Sequence, residues 1–145
     1  MSTYFECKIR YDKTQENGLT KKVTEPYLVN ALSFTEAEAR IIEETTPFIT
    51  GEFLVADIRR ANYNEVVATD DEAADRWFRC KVNIIVIDEK SGAEKKTPMY
   101  LLMQAADIND ARTRLINHMK GTMADYTISS LSETAIMDIY EYDSK

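Results

Sequence analysis

Histidine is almost missing from this sequence, and so are the other residues that usually announce chemistry. One histidine, His118, stands in 145 residues. A nucleophile–histidine–carboxylate site would have to be built on that single ring, and nothing marks its partners. Near the end of a predicted helix, the ring reads instead as a partner of the helix dipole. The two cysteines, Cys7 and Cys80, are too few for a disulfide scaffold. They also lack C-x-x-C spacing, so they read as small buried apolar side chains, and no zinc site is expected. The four glycines fall at hairpin turns (Gly18, Gly92) and helix-to-strand junctions (Gly51, Gly121). They punctuate the backbone; there is no G-x-G-x-x-G or P-loop pattern to cradle a phosphate. No cofactor is predicted, and the expectation is a protein that is not an enzyme.

Long apolar runs are absent too. No stretch of 18 apolar residues exists, so no membrane-spanning helix is expected. The opening residues Met1–Glu6 lack the basic and apolar regions of a signal peptide. The predicted location is therefore cytoplasmic, with no membrane partner.

What is present is ordinary globular material, 44% hydrophobic and 30% charged. The length is that of one domain. The net charge of −7 is unevenly spread. Residues 76–98 hold six Lys/Arg against three Asp/Glu, and residues 4–27 hold five against four. The acidity lies in 33–46, 68–75 and 133–145. Net acidity speaks against a general polyanion binder but leaves room for a local basic face.

The chain also contains an internal echo. Tyr4-Phe5-Glu6-Cys7-Lys8-Ile9 and Trp77-Phe78-Arg79-Cys80-Lys81-Val82 share one pattern. Beyond them, Asn17-Gly18 matches Ser91-Gly92, Lys21-Lys22 matches Lys95-Lys96, Leu28 matches Leu102, and Arg40 matches Arg114. Glu52-Phe53 answers Asp125-Tyr126, and the offset stays at 73 or 74 residues throughout. A register kept over such a length indicates one supersecondary unit used twice. The reading is a single domain, 1–145, built of repeats 4–67 and 77–140 joined by an acidic connector at 68–76.

Each repeat reads as β-β-α-β-β. Alternation predicts a strand over 4–11, with Phe5, Cys7, Ile9 and Tyr11 on one face. After the Asn17-Gly18 turn, 22–32 is the second strand. Pro26 within it lacks an N–H, so that strand sits at an edge or begins late. Ser33-Phe34-Thr35-Glu36 fits a capping box opening a helix that ends near Thr46-Pro47. Phe34, Ala37, Ile41 and Ile42 form its apolar stripe. Extended runs at 52–60 and 62–67 follow, as two strands or as one bulged at Ala61.

In the second repeat the strands are 77–87, 97–105, 125–131 and 134–140. Asp107 caps a helix carrying Ile108, Ala111, Leu115 and Met119, with Gly121 just past its end. The apolar run Ile84–Ile87 marks 77–87 as the more central first strand, and Asp143-Ser144-Lys145 is an end expected to fray. The predicted class is α+β: a tandem β-β-α-β-β repeat with pseudo-twofold symmetry, an antiparallel sheet, and two helices on one side.

The strongest surface signal is the outer face of the first strand of each repeat. Trp77, Arg79 and Lys81 share one side in the second; Tyr4, Lys8 and Arg10 do so in the first, with Glu6 between them. An aromatic ring followed by cations along a strand suits single-stranded nucleic acid. Bases stack on the ring at roughly 1–3 kcal/mol each while cations follow the phosphates. Lys21, Lys22, Lys95, Lys96 and Arg59-Arg60 could widen the track. The bland alternative is an outer face whose aromatics pack on neighbours and whose cations are simply solvated.

The stretches Phe5–Tyr11, Lys21–Tyr27, Ala31–Arg40 and Lys120–Tyr126 resemble an uncharacterised domain family of gut anaerobic bacteria and their phages. That resemblance spans nearly the whole chain and implies no assigned activity. Read from residue 52, the order strand, strand, strand, strand, helix (52–119) is similar to Whirly and PUR-type units, which bind single-stranded nucleic acid on their sheets. The expectation is thus a non-enzymatic module engaging single-stranded DNA or RNA through a basic, aromatic sheet face. The alternative is a phage-related protein-interaction or small-ligand-sequestering module acting as a homodimer.

Overall fold

The computed structural model describes residues 3–141. The end expected to fray, Asp143–Lys145, lies outside them. The chain forms two compact units, residues 1–62 with 135–145 and residues 63–134. Each unit contains one helix and one four-stranded mixed sheet, an α+β architecture.

In the first unit, β1 (Thr3–Thr14) and β2 (Thr20–Ala31) make a long antiparallel hairpin. Gly18 takes φ 83° in the turn, a left-handed conformation that costs glycine no Cβ clash. After α1 (Phe34–Thr45) the chain returns as β3 (Phe53–Ala61), antiparallel on the other side of β1. A bulge interrupts that pairing between Lys8 and Ile9. The fourth strand, β8 (Ile139–Tyr140), lies parallel to β2. The inward faces of β1 and β2 (Phe5, Cys7, Ile9, Tyr27, Val29, Ala31) pack under Ala37 and Ile41 of α1.

The second unit has the same ingredients. β5 (Arg76–Ile87) and β6 (Glu94–Ala105) form the hairpin, α2 (Ile108–Thr122) covers it, and β7 (Tyr126–Glu133) pairs antiparallel with β5. The bulge recurs between Lys81 and Val82. β4 (Glu65–Val67) lies parallel to β6. Cys80, Val82, Leu101 and Met103 pack under Leu115 and Met119 of α2.

The parallel strands correct the sequence reading of both repeats. The 62–67 run is neither a bulged extension of β3 nor part of the first sheet; β4 belongs with β6. Likewise β8 leaves the second repeat and closes the first sheet. So there are two mixed sheets where one antiparallel sheet was expected. The Whirly-like order over 52–119 loses its first strand, because β3 pairs in the other sheet.

Pro26 and Pro98 fit these edges. Leu28 N–H donates to Asp138 C=O (3.0 Å), and Pro26 C=O accepts from Met137 N–H (2.8 Å). Even-numbered backbone groups of β2 therefore face the β8 side, and the missing proline N–H removes a donor only from that edge. Tyr100 turns its backbone to Asn64 in the same way, so Pro98 faces the β4 side.

Both helices start with reciprocal caps. Ser33 Oγ accepts from Glu36 N–H (3.2 Å) while the Glu36 carboxylate accepts from Leu32 N–H (3.3 Å). Asp107 accepts from Asp110 N–H (2.8 Å) while Asp110 accepts from Ala106 N–H (2.9 Å). The Ala106 N–H, followed by Arg114, holds the Asp110 carboxyl below its usual range.

Three details differ from the sequence reading. Gly121 lies inside α2, and the left-handed residue that ends the helix is Met123 (φ 56°). Thr122 Oγ1 donates to Met119 C=O (2.7 Å) and holds the last turn one residue beyond the glycine. The buried stripes are Ala37, Ile41, Thr45 and Ala111, Leu115, Met119, whereas Phe34, Ile42 and Ile108 are exposed. Thr45 is tolerated inside because its hydroxyl donates to Ile41 C=O (2.7 Å). The apolar end of β5 runs past its ladder with β7, which stops at Ile84↔Tyr126, and leaves Val86 and Ile87 exposed. Both first strands are equally central in their sheets.

The two apolar helix positions of α2 that look alike in sequence should therefore behave differently. Leu115→Ala should destabilise the protein by about 2–5 kcal/mol, and Ile108→Ala by no more than about 0.5 kcal/mol. Urea melts followed by circular dichroism read both; equal effects would refute this assignment of the stripe.

Candidate nucleic-acid interface

A strand alternates its side chains, so the residues opposite the helix form the outer face of each sheet. In the second unit that face carries Trp77, Arg79 and Lys81 on β5. Their cross-strand neighbours are Gln104, Leu102 and Tyr100 on β6, and Ser132 and Ser130 of β7 stand opposite Arg79 and Lys81. The Arg79 guanidinium lies 4.5 Å from the centre of the Tyr100 ring, and Lys81 Nζ lies 6.0 Å from it. Both distances are within cation–π range. Neither cation has a carboxylate partner among the described residues. Arg79 is exposed and Lys81 half-buried.

Trp77 does not stand out as a stacking ring. It is 5% exposed, and Leu102, diagonal to it on the same face, is fully buried. The exposed part of the face begins at Arg79. Lys96 lies on the outer side opposite Ile85, about 13 Å along β5 from Lys81 at strand rise. Lys95 faces the opposite side, paired with Val86.

In the first unit the same positions are differently furnished. Tyr4 is half-buried, and its hydroxyl donates to Glu141 Oε1 (3.3 Å). Burial, then Glu141, pushes that phenol up to about 12. Lys8 stands opposite Asp57, and Glu6 opposite Arg59. Arg59 pairs with Asp57 (3.3 Å), and Arg60 is spread over the Phe5 and Phe34 rings. Arg10 is exposed, with its Nε directed to Thr24 Oγ1 (3.3 Å). Lys22 shares its side, while Lys21 takes the other. Carboxylates thus interleave with the cations of this face, whereas hydroxyls flank those of the second unit.

Tyr100 is the residue that sequence reasoning missed. Its signal was present in the turn: a hairpin centred near Ser91 places residue 100 opposite residue 81. His118 was also misplaced. Its Nε2 lies 2.9 Å from Glu65 Oε2, so it ties α2 to β4. No group of three or more His, Cys, Asp or Glu able to hold a metal occurs among the described residues. No helix is long and apolar enough to cross a membrane.

The fold and this face define a small α+β protein of two helix-covered mixed sheets, one bearing an uncompensated cationic patch. The chain belongs to the family described as Domain of unknown function (DUF4494), whose model matches residues 3–142. No curated protein and no solved structure matches it.

The two thiols lie under the helices, and burial pushes Cys7 up to about 12 and Cys80 up to about 11. At pH 8 both are neutral and shielded, so a thiol reagent should label neither in the native protein and both after unfolding. Trp77 should resist acrylamide quenching until the same transition. Fast native labelling or quenching would contradict the burial of these residues.

Proposed function

We propose that this protein is a non-enzymatic module that binds single-stranded DNA or RNA on the outer face of its second sheet. The observation that carries the proposal is the group Arg79, Lys81 and Tyr100, two cations without carboxylate partners over one exposed-side ring. A base can stack on the guanidinium–tyrosine pair, since both present flat polarizable surfaces. Lys81 and Lys96 then meet phosphates along the strand, and Ser130 and Ser132 offer hydroxyls to the sugar or phosphate. Trp77 takes no part as a stacking platform; it anchors the buried end of the face. Lys22 and Lys95 are peripheral, and Tyr4 and Lys8 have local partners or an opposing carboxylate. The net charge of −7 makes binding depend on this local patch.

The test is fluorescence anisotropy of labelled oligo-dT and oligo-rU at low salt, repeated at several salt concentrations. The double variant Arg79→Ala/Lys81→Ala should weaken binding at least tenfold. It should also flatten the slope of log affinity against log salt by about 1.4, as two lost phosphate contacts on a single strand require. Tyr100→Ala should weaken binding without altering the slope. An absence of binding at low salt, or binding indifferent to all three substitutions, would overturn the proposal.

A further inference from the structure

Beyond Tyr11 the first sheet stops being closed on both sides of β1. The β1–β2 ladder continues to Thr14↔Thr20, but β3 begins at Phe53, opposite Tyr11. Odd-numbered backbone groups of β1 face β2, as the Gln15 N–H to Leu19 C=O bond (2.7 Å) confirms at the turn. The backbone groups of Asp12 and Thr14 therefore face the β3 side, past its end. Among the described residues neither amide has a hydrogen-bond partner. An open strand edge is a template for another strand.

Two cavities flank this open edge. One of 310 Å³ is lined by outer-face residues that include Arg10, Lys22 and Leu54. The other, of 280 Å³, is bordered by Lys13, Phe48 and Thr50. Tyr11 and Asp12 line both. Each cavity holds one large apolar side chain left in solvent: Leu54 is 53% exposed and Phe48 52%. A strand laid beside Asp12–Thr14 would send successive side chains alternately to the two faces, one into each cavity.

We propose that Asp12–Thr14 is a strand-addition site for an extended peptide segment of a partner protein. Its backbone continues the sheet beyond β3, and its side chains supply specificity. On the helix side an apolar residue packs against Phe48 and Tyr11. On the outer side, Arg10 and Lys22 are matched by the carboxylates of Asp12 and Glu52, none of them ion-paired among the described residues. Such a mixed ring suits a neutral side chain that both donates and accepts, as an amide does. The occupant is a peptide and not a nucleic acid, whose backbone has no N–H groups to continue a ladder. A second copy is disfavoured because antiparallel self-pairing centred on Lys13 would set Lys13 against Lys13.

The experiment pans a displayed library of linear random peptides against the full chain and measures the enriched peptides by calorimetry. The expected motif alternates apolar and amide-bearing residues. Asp12→Pro removes an N–H only on the open side and should weaken binding at least tenfold. Phe48→Lys changes an exposed side chain, keeps the test alive if the proline variant does not fold, and should weaken binding similarly. Arg79→Ala/Lys81→Ala should leave peptide affinity unchanged, which separates this site from the nucleic-acid face. Failure to enrich any peptide would overturn the inference, as would peptides that bind Phe48→Lys like the wild type. So would a homodimer, seen by sedimentation, that Phe48→Lys dissociates, since a second copy would then be the occupant.

Discussion

Each unit depends on closing the open edge of a long hairpin with a few residues of parallel strand. A parallel partner cannot come from a tight turn; it requires a crossover. β8 and β4 are that partner, paired with β2 over Leu28–Val29 and with β6 over Leu101–Met103. Such short ladders are weak alone, and side chains from the helix reinforce them. Arg40 donates to the carbonyls of Asn30 and Glu141, the latter at 3.0 Å just past β8. Arg114, 74 positions later in the chain, holds Asp71 (2.7 Å), just past β4. The two arginines perform the same task, fixing the exit of the fourth strand, which gives the Arg40/Arg114 match in the sequence a physical reason. The prolines complete the edge by leaving no N–H beyond the short strand for another chain to pair with.

The two outer faces show how one scaffold can carry different surfaces. Position 6 is Glu where position 79 is Arg, and β3 contributes Asp57 and Arg59 where β7 contributes Ser130 and Ser132. The first face is neutralised within itself; the second is not. An exposed ion pair contributes little to stability, so its main effect here is to remove cations from circulation as anion binders. A repeat that keeps its core pattern while changing these few residues keeps its fold and changes its electrostatic character.

The interiors explain what the core pattern demands. Cys7 and Cys80 sit fully buried at equivalent strand positions, free of each other, where a small apolar side chain lets the helix approach. The helices contribute small residues first, Ala37 and Ala111, and larger ones later in the same stripe. The hydroxyl of Thr45 enters the core only because the preceding turn accepts its hydrogen bond. Among the described residues no buried side-chain polar atom lacks a partner, as close packing in a low dielectric requires.

Local information in the sequence was enough for the elements themselves. Alternation around Phe5–Tyr11 and Phe78–Val82 named the strands and their buried faces, Asn17-Gly18 and Ser91-Gly92 placed the turns, and Ser33 and Asp107 opened the helices. These signals act over a few residues, so they can be read without knowing what lies across the sheet. Tertiary structure decided the rest. Pairing two or three residues of β4 or β8 with a strand some 35 or 110 positions away leaves no local trace. Burial of Trp77 could not be read from its strand, because an aromatic side chain fits a covered and an open face equally well. The cationic patch was half legible: Arg79 and Lys81 follow from alternation, but Tyr100 beneath them, and Asp57 beside Lys8, depend on which residues the sheet register places together.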